Sequence, residues 1–336
     1  ECFGIDSEEV RDTIKANPDS RYEVLKKGVS YEDAKKFQEI DEDDKKYPNV
    51  EMVKKICEAL GITLGKLMSY KEDIEIAKTV FHNNKLTKAE KNAILSQVRL
   101  NVQMYHDACM CANAEVDENR LPKEKIPMGT DLEEIAAYIR EALHLPASGP
   151  VGNLVQTLER SGVFVTIIKR NAIAKSFSSL AAMTTNGVPI VAISSDLDRY
   201  GQREELTHVL MYLLFSDINE RILNNAVEYF LLPSEDIIRE LGRKRKSLCA
   251  KEIRIIAEKY GVFEKCVVRR AKEEGIINRK WQNNIQNIIV DERKAELPTR
   301  LLQIVLRAYT EGETSISRAA ELLQTDSSTA ATTLKE

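Results

Sequence analysis

Along most of this chain apolar residues return every three or four positions, the spacing that buries one stripe of a helix. In SEEVRDTIKA, Val10 and Ile14 share a face behind Ser7 as N-cap, with glutamates in the first turn. Pro18 ends that helix, and SRYEVLKKG follows and stops at Gly28. YEDAKKFQEI predicts another helix before the acidic turn DEDDKKYPN. VEMVKKICEALGITLGKLM then carries Val53, Ile56, Leu60, Ile62, Leu64 and Leu67. LTKAEKNAILSQVRLNVQMYHDACMCANAEV runs without Gly or Pro, and Ile94, Val98, Val102, Tyr105 and Met110 suggest a stripe for a partner helix. Cys109 and Cys111 beside His106 do not make a metal site on such a helix, because residues two apart diverge by about 200°.

The period changes after the linker RLPKEKIPMGT. DLEEIAAYIREAL and GNLVQTLERSG are helices, the second closed by Gly162. VFVTIIKR, SFSSLAAMTT and VPIVAISS read as strands, with Asn186-Gly187 turning the last two into a hairpin. RYGQREELTHVLMYLLF and INERILNNAVEYFLL are helices again, ended by Pro233. The prediction is an α+β, mostly helical chain: an N-terminal helical bundle, a long connecting helix, a domain with a small sheet, and a helical C-terminal region.

Composition narrows this. At 336 residues the chain suits two or three domains, and 30% charged residues beside 43% hydrophobic ones fit a mostly helical, water-facing protein. No stretch is long and apolar enough for a bilayer, and ECFGIDSEEV is not a signal peptide, so a cytoplasmic location without membrane partners is expected. Six cysteines at this length fit reduced thiols. A net charge of −4 argues against indiscriminate nucleic-acid binding but leaves room for a local DNA-reading module. The basic run GRKRKS at 242–247 is read as a solvated helix end, and Trp281 as a core anchor.

PNVEMVKKICEALGITLGKLM resembles the C-terminal helices of the XRE (Cro/CI-type) helix-turn-helix family, and SEEVRDTIKANPDSRYEVLKKG resembles its scaffold helix, turn and recognition helix. The resemblance covers residues 1–69, with the family's first helix missing or trimmed. It implies DNA contact by Ser20, Arg21, Tyr22, Lys26 and Lys27, whose side chains would reach phosphates and base edges. Residues 70–129 are then a helical connector.

REELTHVLMYLLF has nearly the form of H-E-x-x-H, in which two histidines one turn apart hold zinc and the glutamate between them is general base. Together with GPVGNLVQTLERSGVFV, VPIVAISSDLDRYGQREELTHVL, NNAVEYFLLPSEDI and EKYGVFEKCVVRRAKEEGII, it makes residues 130–285 similar to the zincin-like ImmA/IrrE domain. LPTRLLQIVLRAYTEGETSISRAAELL, within 286–336, resembles the C-terminal extension of some fused members. The resemblance puts the first zinc histidine at Glu204, the general base at Glu205, the second histidine at His208 and the third ligand at Ile222. Isoleucine donates nothing to a metal. Glu220, two positions away on the same helix, is expected to face elsewhere, Glu228 lies almost two turns on, and no local spacing points to His106 or His144.

A catalytic zinc needs three protein ligands and an open position. The expected function is therefore a DNA-binding transcriptional regulator, of phage or mobile-element repressor or antitoxin type, with a catalytically inactive sensor or partner-binding domain. Its partners would be an operator, an effector, toxin or anti-repressor protein, and a second copy of itself in a homodimer, with no cofactor. One alternative is an active zinc metallo-endopeptidase that cleaves a repressor, with Glu204 and His208 on the metal and Glu205 as base. The other is a protein-interaction module that does not touch DNA.

Overall fold

The structure, a computed structural model, describes residues 75–82, 85–116, 118–169, 176–281 and 294–335. The chain divides between Asp73 and Ile74 into two units, and all described residues belong to the second. The helix-turn-helix expected over 1–69 lies outside them.

In chain order the strands are β1 (Ile76–Phe81), β2 (Ile126–Pro127), β3 (Phe164–Ile168), β4 (Ser179–Thr184), β5 (Pro189–Ser194) and β6 (Phe215–Ser216). The helices are α1 (Lys88–Cys111), α2 (Leu132–Ala142), α3 (Leu154–Arg160), α4 (Arg199–Leu214), α5 (Glu220–Leu231) and α6 (Ser234–Leu241). They continue with α7 (Ala250–Tyr260), α8 (Glu264–Glu273), α9 (Arg300–Thr310), α10 (Ile316–Leu322) and α11 (Ser327–Thr333). This is the expected α+β class, with helices dominating.

The main sheet has the order β1-β4-β5-β3. β4 pairs antiparallel with both β1 and β5, while β3 runs parallel to β5. The three strands read from the sequence and the Asn186-Gly187 turn are all present, Gly187 having φ +82. β1 is new: it lies inside the segment read as a helical connector.

Strand alternation sorts the sheet residues onto two faces. Leu180, Ala182, Ile190 and Ala192 pack with Ile94, Val98 and Val102 of α1. Ala181, Val191 and Ile193 pack on the opposite side with Leu206, Val209, Leu210 and Leu213 of α4 and with Leu223 and Val227 of α5. The sheet is thus sandwiched between α1 and the α4–α5 layer. A third cluster joins the C-terminal half of α1, through Tyr105, Ala108 and Cys109, to Ile304, Val305 and Ala308 of α9.

Local chemistry fixes the elements that matter for the site. Thr87 and Glu90 form a reciprocal capping box that starts α1, the Thr87 amide donating to Glu90 at 2.7 Å. α1 buries the predicted stripe except Met110, which is 68% exposed. Met110 is five residues past Tyr105, about 140° around the helix, and so has rotated off the buried face. Asp198 caps α4 by accepting the Gly201 amide at 2.8 Å. α4 is buried around most of its circumference, including the polar residues Gln202, Arg203, Thr207 and His208. Leucines on several sides hold it rigidly between the sheet and α5. Asn219 caps α5, and Pro233 follows its end. Among the described residues no helix is long and apolar enough to cross a membrane.

Candidate metal centre

Parity along the strands predicts what meets α4. Phe81 is paired with Leu180, and both belong to the cluster on the α1 side. The next residue of β1's path, His82, and the residue before Leu180, Ser179, therefore face α4. There they meet Glu205. His82 Nδ1 lies 2.9 Å from Glu205 Oε2, and the Ser179 hydroxyl donates to the same oxygen. The His82 backbone N–H donates to the Ser179 carbonyl at 3.2 Å, so the β1–β4 ladder runs up to the histidine. His208, one turn after Glu205, places its ring 4.3 Å from that of His82.

Three donors are thus collected: His82, Glu205 and His208 each offer one ligand atom, all within 4.8 Å of one another. Two imidazoles and one carboxylate suit zinc or a similar divalent ion. His208 bears on the fit most directly. It is 5% exposed, and neither ring nitrogen completes a hydrogen bond, although the Asn224 carboxamide of α5 is close enough to favour its protonated form. Buried polar atoms ordinarily have partners. A histidine that lacks one beside two further donors is arranged as a ligand would be.

The helical wheel explains why Glu205 rather than Glu204 joins the group. Relative to His208, Glu204 lies about 40° to one side and Glu205 about 60° to the other. Glu205 faces the sheet and His82. Glu204 is outside the three-donor group, and its charge acts on both His82 and Cys266 of α8. Ile222, at the position the resemblance gives to the third ligand, packs against the core instead. Glu220 does not face away as the wheel suggested. It stands at the first position of α5, where its side chain accepts from the Tyr212 hydroxyl at 2.8 Å, and Tyr212 lies 6.3 Å from the His82 ring. Glu228 is committed to an ion pair with Arg269, and His106 and His144 are not in the donor group. The five DNA-contact candidates, Ser20, Arg21, Tyr22, Lys26 and Lys27, lie outside the described residues.

The third group able to offer a ligand atom is His82, 123 residues from Glu205 in sequence. It was legible in principle: one of only four histidines, it ends the short run IAKTVF, whose Thr, Val and Phe favour a strand.

Electrostatics at the cluster follow from burial and pairing. Burial pushes the Glu205 carboxyl up, but hydrogen bonds from His82 and Ser179 outweigh it and hold the group below the usual carboxylate range. The same hydrogen bond, which His82 donates to Glu205, raises His82 above 6.5. Burial, with the neighbouring His82 charge, drives His208 down to about 4. Glu205 is thus ionised and His208 neutral near neutral pH, and His82 keeps its proton to higher pH than an ordinary imidazole.

These shifts set the sign of a pH dependence. Between about 4 and 6.5 the unfolded chain protonates His208 and the folded chain does not, so stability falls as pH is lowered through that window. His82 acts oppositely: its contribution is complete below 6.5 and is lost as pH rises through its raised folded value. Urea unfolding of metal-free protein is expected to show this acid-side loss, and His208→Leu to flatten it. An unchanged slope in the variant would show that His208 is not buried neutral.

A cleft of about 440 Å³ lies away from this cluster, between α1, β3 and the C-terminal helices. Its polar groups bond largely to each other: Asn101 donates to Thr166 at 2.6 Å and accepts from Gln97 at 2.9 Å and Gln324 at 2.8 Å. It brings no metal-ligating group together.

A comparison with protein-family models, with curated proteins and with solved structures finds no significant match to this chain.

Proposed function

We propose that the chain is a DNA-binding transcriptional regulator whose second unit senses a divalent metal ion and does not cut peptide bonds. One observation carries the sensing half: His82, Glu205 and His208 converge on one point from a strand and a buried helix. His82, Glu205 and His208 would hold the ion, which would supply positive charge and a fixed geometry there. Glu205, which the zincin resemblance makes a general base, is engaged by His82 and Ser179 and belongs to the donor set. A carboxylate bound to the metal does not deprotonate a water on it. The DNA-binding half rests on the XRE resemblance of residues 1–69, with Ser20, Arg21, Tyr22, Lys26 and Lys27 as contacts, and implies an operator and a homodimer.

The test is gel retardation of the chain's own promoter fragment, with zinc and with chelator. Retardation that weakens steeply with salt and changes with zinc is expected. No retardation at low salt removes the DNA-binding half. Retardation indifferent to zinc removes the sensing half.

A second reading, the zinc peptidase, is favoured by one feature: the Glu220–Tyr212 pair beside His82 leaves an acid–base group near the cluster. It requires peptide hydrolysis by the zinc-loaded protein that Glu220→Gln abolishes.

A further inference from the structure

We infer that β1 is a latch through which occupancy of the His82–Glu205–His208 cluster controls the chain segment leading to the N-terminal unit. This rests on the reading that the cluster binds a divalent ion. Connectivity is the first argument. The unit boundary falls between Asp73 and Ile74, β1 starts at Ile76, and His82 follows its last residue. Among the described residues, the first element past the boundary therefore leads directly into a member of the cluster.

The donors are also unequal in how firmly they are held. Glu205 and His208 sit on α4, whose leucines are embedded in the main core. Among the described residues β1 is an edge strand, and none of its six residues is fully buried, whereas five of six in its neighbour β4 are. Ile76 and Phe81 alone attach it to an apolar cluster. Its register slips between Ile76 and Lys78, at the end near the unit boundary. An edge strand with so little apolar burial opens more readily than the helix it faces. The donor set is accordingly assembled or dispersed by β1, not by α4.

In the metal-free state the end of β1 is held by the His82–Glu205 pair and the backbone bond to Ser179. An ion that requires all three donors binds the closed strand and not the open one. At a free ion concentration 100 times the dissociation constant it favours closure by about 100-fold. Loading therefore fixes the strand from which the N-terminal unit is tethered, and unloading frees it. This gives the sensor a physical route to the DNA-binding region through the backbone itself.

The experiment is hydrogen exchange on the full chain, with zinc chloride or with EDTA, for wild type and His82→Ala, beside calorimetric zinc titration of both. Zinc is expected to slow exchange of those amides in 76–82 that bond to β4, the His82 amide among them, by about 100-fold in wild type at that concentration. In His82→Ala it should leave them unchanged, while α4 amides stay protected in both proteins and so report an intact fold. Wild type that binds one zinc with unchanged exchange in 76–82 overturns the latch and leaves the metal reading standing. Protection by zinc that persists in His82→Ala also overturns the latch. Wild type that binds no zinc overturns both.

Discussion

Arg203→Ala is expected to destabilise the second unit by about 3–5 kcal/mol, the cost of leaving a buried countercharge without its partner. Arg203 is fully buried on α4, two residues before Glu205 of the candidate metal centre. Its Nη1 donates to the Gly152 carbonyl at 2.6 Å and to Glu296 at 2.9 Å, and its Nη2 to the Val151 carbonyl at 2.7 Å. Glu296 in turn accepts the amides of Leu154 and Val155, at 2.7 and 3.1 Å, which are orphan donors at the start of α3. One guanidinium thereby ties α4, the loop before α3 and the segment before α9 together. Space around it is tight: a Cβ on Gly261 would come within 2.7 Å of its Nε. Alanine would leave the buried Glu296 carboxylate with the part-exposed Arg199, at 3.5 Å, as its remaining cationic partner, and would open a cavity. At this chain size the melting temperature should fall by about 10 °C. The double variant Arg203→Met/Glu296→Leu should recover only part of the loss, because it removes the poorly paired charge but leaves the Leu154 and Val155 amides and the Val151 and Gly152 carbonyls without these partners. A melting point for Arg203→Ala within a degree of wild type would contradict this assignment.

The second large effect is on metal affinity. His82→Ala is expected to weaken zinc binding by well over about 100-fold, because even removing a group that only supports a ligand costs 10- to 100-fold. Glu204→Gln should change it little, since Glu204 is outside the donor set. The contrast is informative because a reading from the H-E-x-x-H pattern alone predicts the reverse order. Zinc calorimetry on the two variants decides between them. Equal losses would contradict the assignment of His82 to the donor set and of Glu204 outside it.

How much of this was legible in the sequence differs by element. The helix RYGQREELTHVLMYLL, the hairpin around Asn186-Gly187 and the helix ending at Pro233 follow from periodicity and from the turn chemistry of Asn, Gly and Pro. That Glu205 and His208 share a side follows from helical geometry. β1 does not stand out as readily. IAKTVF is a short, half-exposed edge strand in which Lys78 and Ala77 interrupt the alternation, and an edge strand has one hydrogen-bonding neighbour to specify it. Missing that strand meant missing His82, and missing His82 made the cluster look one donor short.

Ile222 shows the limit of arguing from one motif position. Its side chain rightly excludes that position as a ligand, and it packs, partly buried, against the core. The exclusion says nothing about donors arriving from another element. Glu220 makes the same point: wheel angles describe the interior of a helix, and at its first position a long side chain can reach beyond the end to Tyr212.

The most direct test is zinc titration of metal-free, full-length protein by calorimetry, with His208→Ala as control. One ion per chain, bound by wild type and lost in the variant, is the predicted result. Wild type that takes up no zinc at micromolar concentrations, or a variant that binds it as well as wild type does, would contradict a metal centre at His82, Glu205 and His208.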